Sequence, residues 1–187
     1  FIRDKALATD TAYSIDVIRD TINKLDLEGN IMMLQATSPL RDSKDIDDMY
    51  FQMIKQKSLS AVSVKISSDL PSWQYFKTSN RNLEPLLKKQ SKLRQEEKKY
   101  YTLNGAQYLA SSEQILKDGF INKHTMPYVM NLKKSIDIDN EFEWELAKYF
   151  LEKQNINPLS KSLETQKNNI KKPYLKINNI TDAARVL

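Results

Sequence analysis

Along residues 12–25 the apolar positions Ile15, Ile18, Ile22 and Leu25 return at helical spacing, with Asp10 and Thr11 available to cap the start. One face of that segment is apolar, which predicts an amphipathic first helix. Gly29 breaks the pattern, and Ile31-Met32-Met33-Leu34 follows as a short continuous apolar run. Such a run is the form of a strand buried on both faces. After the polar stretch Gln35-Ala36-Thr37-Ser38-Pro39, Asp42 or Ser43 caps a segment in which Ile46, Met49, Tyr50, Met53 and Ile54 follow the i, i+3, i+4, i+7, i+8 template. This is a second helix.

Residues 59–66 are small and β-branched and read as another strand, and residues 67–81 lose periodicity around Pro71 and Trp73, as a loop or inserted subdomain does. Further on, residues 105–111 read as strand, 112–117 as a short helix and 126–130 as strand. A last helix runs over about 140–152, with Phe142, Leu146, Tyr149 and Phe150 on one face. Strands alternating with helices predict an α/β fold with a parallel sheet. Beyond Pro158 the periodicity fades into Lys, Asn and Ser, so residues 156–187 read as a basic tail or linker without a core of its own. No internal repeat is visible, which excludes solenoid architectures.

Composition narrows the chemistry. The chain of 187 residues, 40% hydrophobic and 28% charged, is long enough for one domain with a real core. It has no cysteine and one histidine, which excludes disulfides, thiolate metal sites, a cysteine nucleophile and a multi-histidine zinc site. Any metal is therefore held by oxygen. No apolar run approaches the roughly 18–20 residues of a membrane span and no signal-peptide layout opens the chain, so a cytoplasmic location is the default. The net charge of +5 sits in two places: residues 86–99 and 160–187 each carry +4, leaving −3 over the remaining 145. Chain position 1 is Phe, and the reading runs directly into a helix, as in a sequence that begins inside a gene product.

Three constellations could carry chemistry. Gln35-Ala36-Thr37-Ser38-Pro39-Leu40-Arg41 lies where a buried strand gives way to a helix, the end of a parallel sheet at which ligands bind. Its amide, hydroxyls and guanidinium suit a polar substrate, or the stretch is simply a polar turn shaped by Ser38 and Pro39. Second, in Ser135-Ile136-Asp137-Ile138-Asp139 an extended backbone turns both carboxylates to one side. Two carboxylates suit Mg²⁺; alternatively Asp139 caps the last helix and Asp137 is solvated. Third, Arg94-Gln95 in the basic run leads into Tyr101-Thr102-Leu103-Asn104-Gly105-Ala106-Gln107-Tyr108. An arginine fork matches a carboxylate or phosphate, whereas a charge run is also an ordinary solvated face or a nucleic-acid stripe. His124 reads as a loop residue and Trp73 as a packing residue.

Taken in order, these pieces resemble the CMP-N-acetylneuraminate synthetases, cytidylyltransferases that activate sialic acids and related nonulosonic acids. The resemblance rests on Arg3 with Leu7-Ala8-Thr9-Asp10 and Ser14, on Leu34-Gln35-Ala36-Thr37-Ser38-Pro39-Leu40-Arg41, on Arg94-Gln95 and Asn104-Gly105-Ala106 with Tyr108, and on Tyr128-Val129-Met130 with Ser135-Ile136-Asp137-Ile138-Asp139. It covers roughly residues 1–152. It implies a Rossmann-like nucleotide-diphospho-sugar transferase sheet over residues 1–155, with a dimerisation insertion at about 67–103 and the first strands missing. It implies attack of a sugar acid's anomeric hydroxyl on the α-phosphorus of CTP, releasing pyrophosphate, with Mg²⁺ on Asp137 and Asp139. By position, Arg3, Ala12 and Ser14 fall near the cytosine, Gln35 and Ser38 face the sugar, Arg94 meets its carboxylate, and Asn104 and Tyr108 line the pocket; Arg94, Asp137 and Asp139 are the catalytic set. Such a toolkit of metal and anion-binding arginine is what phosphoryl transfer requires.

The chain departs from the family pattern in several places. The family's opening strand and its Gly-, Ser- and Lys-bearing triphosphate loop have no counterpart here, so the 187 residues alone are expected to turn over CTP poorly. Thr102 stands where relatives often carry Arg, and Ala36 where many carry Pro. Lys77 is the candidate for a sugar-contacting lysine after the third strand, and the resemblance brings Phe120 toward a neighbour's sugar pocket. The implied partners are CTP, an acidic nine-carbon sugar and a second copy of the chain, with neither membrane nor nucleic acid among them. The alternatives are a cytidylyltransferase for Kdo, legionaminic or pseudaminic acid, and a non-catalytic basic domain that binds nucleic acid.

Overall fold

A computed structural model describes residues 3–9, 11–87 and 98–153. Four helices, α1 (Ser14–Leu25), α2 (Ser43–Lys55), α3 (Ser112–Asp118) and α4 (Glu141–Lys153), accompany six strands. Strands β1 (Asn30–Leu34), β2 (Ser60–Ile66), β5 (Tyr101–Ser111) and β6 (Met126–Val129) form one sheet in the order β1-β5-β2-β6; β3 (Tyr75–Lys77) and β4 (Leu83–Pro85) pair as a separate exposed hairpin. Layers follow from side-chain alternation. On β1, Met32 packs with Met49 and Met53 of α2 on one face, and Ile31 and Met33 pack with Ile22 of α1 and Ile115 of α3 on the other. The apolar run 31–34 is thus covered on both sides, as its composition predicts. Met49 and Met53 are fully buried, each contributing on the order of 1.5–3 kcal/mol.

The α/β expectation holds, but the sheet is mixed. β2 and β6 run parallel, while β5 lies antiparallel to both its neighbours β1 and β2. The cause is the excursion after β2, which returns the chain to the end of the sheet it has just left. Ser67 N–H donates to Tyr100 O at 2.9 Å, and Ile66 faces Tyr101. A strand starting there can only run back along β2.

Local details also differ from the sequence reading. α1 starts after Tyr13, which makes no side-chain cap, so Thr11 does not cap the helix; Asp10 lies outside the described residues. At α2 the expectation is met with a capping box, Asp42 and Asp45 each accepting the other's backbone N–H at 3.1 Å. α4 forms where expected, yet Phe142 and Tyr149 are 75% and 52% exposed, and Ala147 is the buried residue of that helix. Phe120 is 6% exposed and packs within this chain against Ile22, Ala110 and Ile115, 5.8 Å from the Tyr108 ring, as a core residue rather than one free to reach a neighbour. Lys77 lies on the exposed β3.

Candidate active site

The centre of the site is an irregularity in β5. Val62 faces Tyr108 and Val64 faces Leu103, so the single residue Ser63 lies opposite 104–107. This bulge needs a backbone turn that Gly105 supplies at φ +73°. Ser63, fully buried, fastens it: its hydroxyl reaches Asn104 Oδ1 at 2.6 Å and Gln107 O at 3.0 Å, and accepts Gln107 N–H at 2.9 Å. Asn104 in turn donates to Ser135 Oγ at 2.9 Å and meets Met130 Sδ at 3.3 Å, while its Oδ1 takes Ala106 N–H. Asn104 is 3% exposed and lies in the floor of the site, with both ends of its amide engaged by the fold.

The bulge draws the segment after β6 against it. The tight turn Leu132–Ser135 leads into Asp137, whose Oδ1 accepts Ser38 Oγ at a long 3.4 Å, and Ile138 N–H donates to Thr37 O at 2.9 Å. The loop after β1 is thereby laid along the segment that carries the carboxylates. Ser38 is 1% exposed, with its hydroxyl turned to Asp137. Arg41 does not reach outward: its guanidinium donates to Gln35 O at 3.3 Å and to Ala106 O, bracing the loop against the bulge. Burial lowers the Arg41 pKa, with the charge of Asp45 opposing.

Beneath the loop, Lys134 Nζ bridges Asp42 at 2.7 Å and the buried Asp45 at 2.9 Å, tying the start of α2 to the turn before Asp137. Tyr128 O–H donates to Asp45 Oδ1 at 3.4 Å; burial, then the charge of Asp45, pushes its phenol pKa well up. Tyr108, half-buried, is also shifted upward, first by burial and then by the charge of Asp137.

A cavity of about 470 Å³ opens here, lined by Lys65, Thr102, Asn104, Ser135, Asp137 and Asp139, with Phe142 and Glu143 of α4 on its far side. Asp139 is not the cap of α4. Asn140 Oδ1 accepts Glu143 N–H at 3.0 Å, and the Glu143 carboxylate reaches back to Asp139 N–H at 2.8 Å. The Asp139 carboxylate makes no hydrogen bond or ion pair among the described residues. Among those residues no group of three or more His, Asp or Glu side chains could hold a metal. Asp137 and Asp139 are a two-carboxylate set, the number Mg²⁺ uses when water and phosphate oxygens complete its shell.

The structure therefore brings Gln35, Ser38, Asn104, Tyr108, Asp137 and Asp139 into one neighbourhood. Arg3 and Ser14 are exposed and Ala12 half-buried near the start of α1, and no hydrogen bond or ion pair joins them to that cluster among the described residues. Arg94 lies outside the described residues, as does the tail after 153. Sequence reasoning missed Ser63, Ser135 and Lys65 as site residues. An isolated Gly within a strand pattern is a bulge signal, and Asn104-Gly105 carried it.

No family model matches the chain. It is 32% identical over 159 residues to the CMP-N,N'-diacetyllegionaminic acid synthase of Legionella pneumophila, a match covering 81% of this chain and 68% of that protein. The chain belongs to the CMP-sialic acid synthetase family. Two further similarities accompany this one. The N-acylneuraminate cytidylyltransferase of Escherichia coli is 29% identical over 161 residues, covering 82% of this chain but 37% of that longer protein. The post-translational flagellin modification protein B of Campylobacter coli is 22% identical over 162 residues, covering 83% and 69%. No helix among the described residues is long and apolar enough to cross a membrane.

Proposed function

We propose that the protein transfers CMP from CTP to a nonulosonic sugar acid, releasing pyrophosphate, with Mg²⁺ held by Asp137 and Asp139. One observation carries this reading: Asp137 is fixed between Ser38 and Gly105 at a cavity, while Asp139 beside it is left uncommitted because Asn140 caps α4. The metal, when bound, neutralises charge on the phosphate oxygens. The sugar's anomeric oxygen forms a bond to the α-phosphorus as the bond to pyrophosphate breaks.

The chain's own residues bind and orient. Gln35 presents its amide to the sugar from the loop after β1, Ser38 holds the Asp137 carboxylate, and Asn104 keeps the floor rigid. Tyr108, its proton retained by burial and by Asp137, supplies a neutral hydroxyl to the sugar. Arg94 receives the sugar's carboxylate, and Arg3, Ala12 and Ser14 meet the cytosine, both as the family resemblance implies. The active form is a homodimer; exposed Leu132 and Phe142 at the cavity support a partner surface there. Among sugar acids the legionaminic type is favoured over the neuraminic, because the legionaminic relative is the more similar over the larger share of its own length.

Pyrophosphate release from CTP tests this, with N-acetylneuraminic, diacetyllegionaminic, pseudaminic acid and Kdo offered in turn. We expect Mg²⁺-dependent turnover, fastest with the legionaminic acid, and loss of at least about 100-fold on Asp137→Asn. Absence of turnover with all four, together with salt-sensitive nucleic-acid binding that survives Asp137→Asn, would replace this function with that of a binding domain.

A further inference from the structure

Four carboxylates line the cavity, those of Asp69, Asp137, Asp139 and Glu143, and among its described lining residues Lys65 is the one basic side chain. Sheet geometry sets where it projects. Lys65 follows Ser63 by two positions on β2, so the two share a face. Ser63 is bonded on that face to Asn104, which lies in the cavity floor. Across the ladder Lys65 is paired with Thr102, itself two positions before Asn104 and also lining the cavity.

Lys65 is half-buried, and among the described residues its ammonium makes no hydrogen bond or ion pair. Its cross-strand partner carries no charge. Lys134, by contrast, the residue before the cavity-lining Ser135, is held by two aspartates. A cavity with this excess of negative charge repels an anionic substrate unless a cation is supplied to it. An unpaired ammonium on a rigid strand is suited to that task.

We propose that Lys65 is an anion-receiving residue on the β2 side of this cavity, its Nζ taking a phosphate oxygen of the nucleotide or, beside Arg94, an oxygen of the sugar acid's carboxylate. This rests on the cytidylyltransferase reading and adds to it a cationic contact from β2.

The experiment measures KM for CTP and for the sugar acid separately in Lys65→Met, Lys65→Arg and the double variant Lys65→Met/Thr102→Lys, with the melting temperature of each. Loss of a charge-assisted contact made in the bound state predicts a rise of about tenfold or more in one KM for Lys65→Met, with kcat within about threefold. The substrate whose KM moves identifies the oxygen. Lys65→Arg keeps that KM within about threefold, and Thr102→Lys, which returns an ammonium across the same ladder, recovers most of the loss. A role confined to packing would instead lower the melting temperature and leave the KM split unmoved, overturning the proposal. Unchanged KM values for both substrates in Lys65→Met, with the parent protein active, likewise overturn it and leave the cytidylyltransferase reading standing. A parent protein that forms no CMP-sugar with any acid offered removes the reading beneath it.

Discussion

A Cβ placed on Gly105 would lie 2.3 Å from Asp137 Oδ2. The two residues are far apart in the chain, and the β5 bulge brings the backbone of one against the carboxylate of the other. Glycine is required there twice over, by the close approach and by φ +73°.

Gly105→Ala is therefore expected to cost about 1–2 kcal/mol for the left-handed backbone alone. The added methyl also displaces the Asp137 carboxylate from Ser38, so Mg²⁺-dependent turnover should fall much further than stability does. Urea unfolding compared with pyrophosphate release checks this; a loss of turnover no larger than the stability change implies would show that Asp137 tolerates the shift.

At the start of α4 the roles of two neighbours separate cleanly. Asn140→Ala removes the side chain that accepts Glu143 N–H and should destabilise the protein by about 1 kcal/mol. Asp139→Asn leaves that cap in place, so its unfolding free energy should stay within about 0.5 kcal/mol of the parent while metal-dependent turnover drops. Equal destabilisation by both substitutions would return Asp139 to a capping role.

The bridge from Lys134 to Asp42 and Asp45 predicts a pH profile. Burial works to raise the Asp42 pKa, but hydrogen bonds from Lys134 and from the Asp45 backbone outweigh it and hold the carboxyl below its usual range. For Lys134 burial works downward and the two aspartates prevail, so its pKa is raised. A depressed carboxylate contributes stability above its unfolded pKa of about 3.9, lost as pH falls through the folded value. A raised lysine contributes below about 10.4, lost as pH rises through its folded value. The contribution is thus level across neutral pH and declines at both extremes. Lys134→Met should flatten both limbs and cost about 1–3 kcal/mol at neutral pH, because it leaves the Asp45 carboxylate, 9% exposed, one donor short. Thermal unfolding between about pH 3 and 11 reads it directly, and parallel profiles for the two proteins would contradict the assignment.

Local signals were legible where one element carries them entire. The run 31–34 shows burial on both faces, and Asp42, one of the two caps the sequence offered, caps α2. The motif Ser135-Ile136-Asp137-Ile138-Asp139 likewise marked the carboxylates as a candidate pair. Where the outcome depended on what packs against an element, the sequence was less informative. The apolar positions of α4 read as a core face, yet Phe142 and Tyr149 are exposed, because periodicity reports a stripe and not what covers it. For the stretch that holds Arg41 the sequence left open a grip on a polar substrate or a polar turn, and Arg41 is a brace for two backbone carbonyls.

By itself the sequence determined the kind of protein this is: helices and strands in α/β alternation, chemistry restricted to oxygen ligands and guanidinium or ammonium groups, and ordered motifs that resemble one family of transferases. Tertiary structure decided the direction of β5, the bulge that Ser63 fastens, and the contact of Asp137 with Ser38 and Gly105. It also decided that Asn104 and Ser38 are buried with their side chains hydrogen-bonded, and that Lys65 lines the cavity from β2. The physical reason is range. Propensity, capping and periodicity act over a few neighbouring residues, whereas strand direction and the meeting of side chains about a hundred residues apart are fixed only when the sheet closes around them.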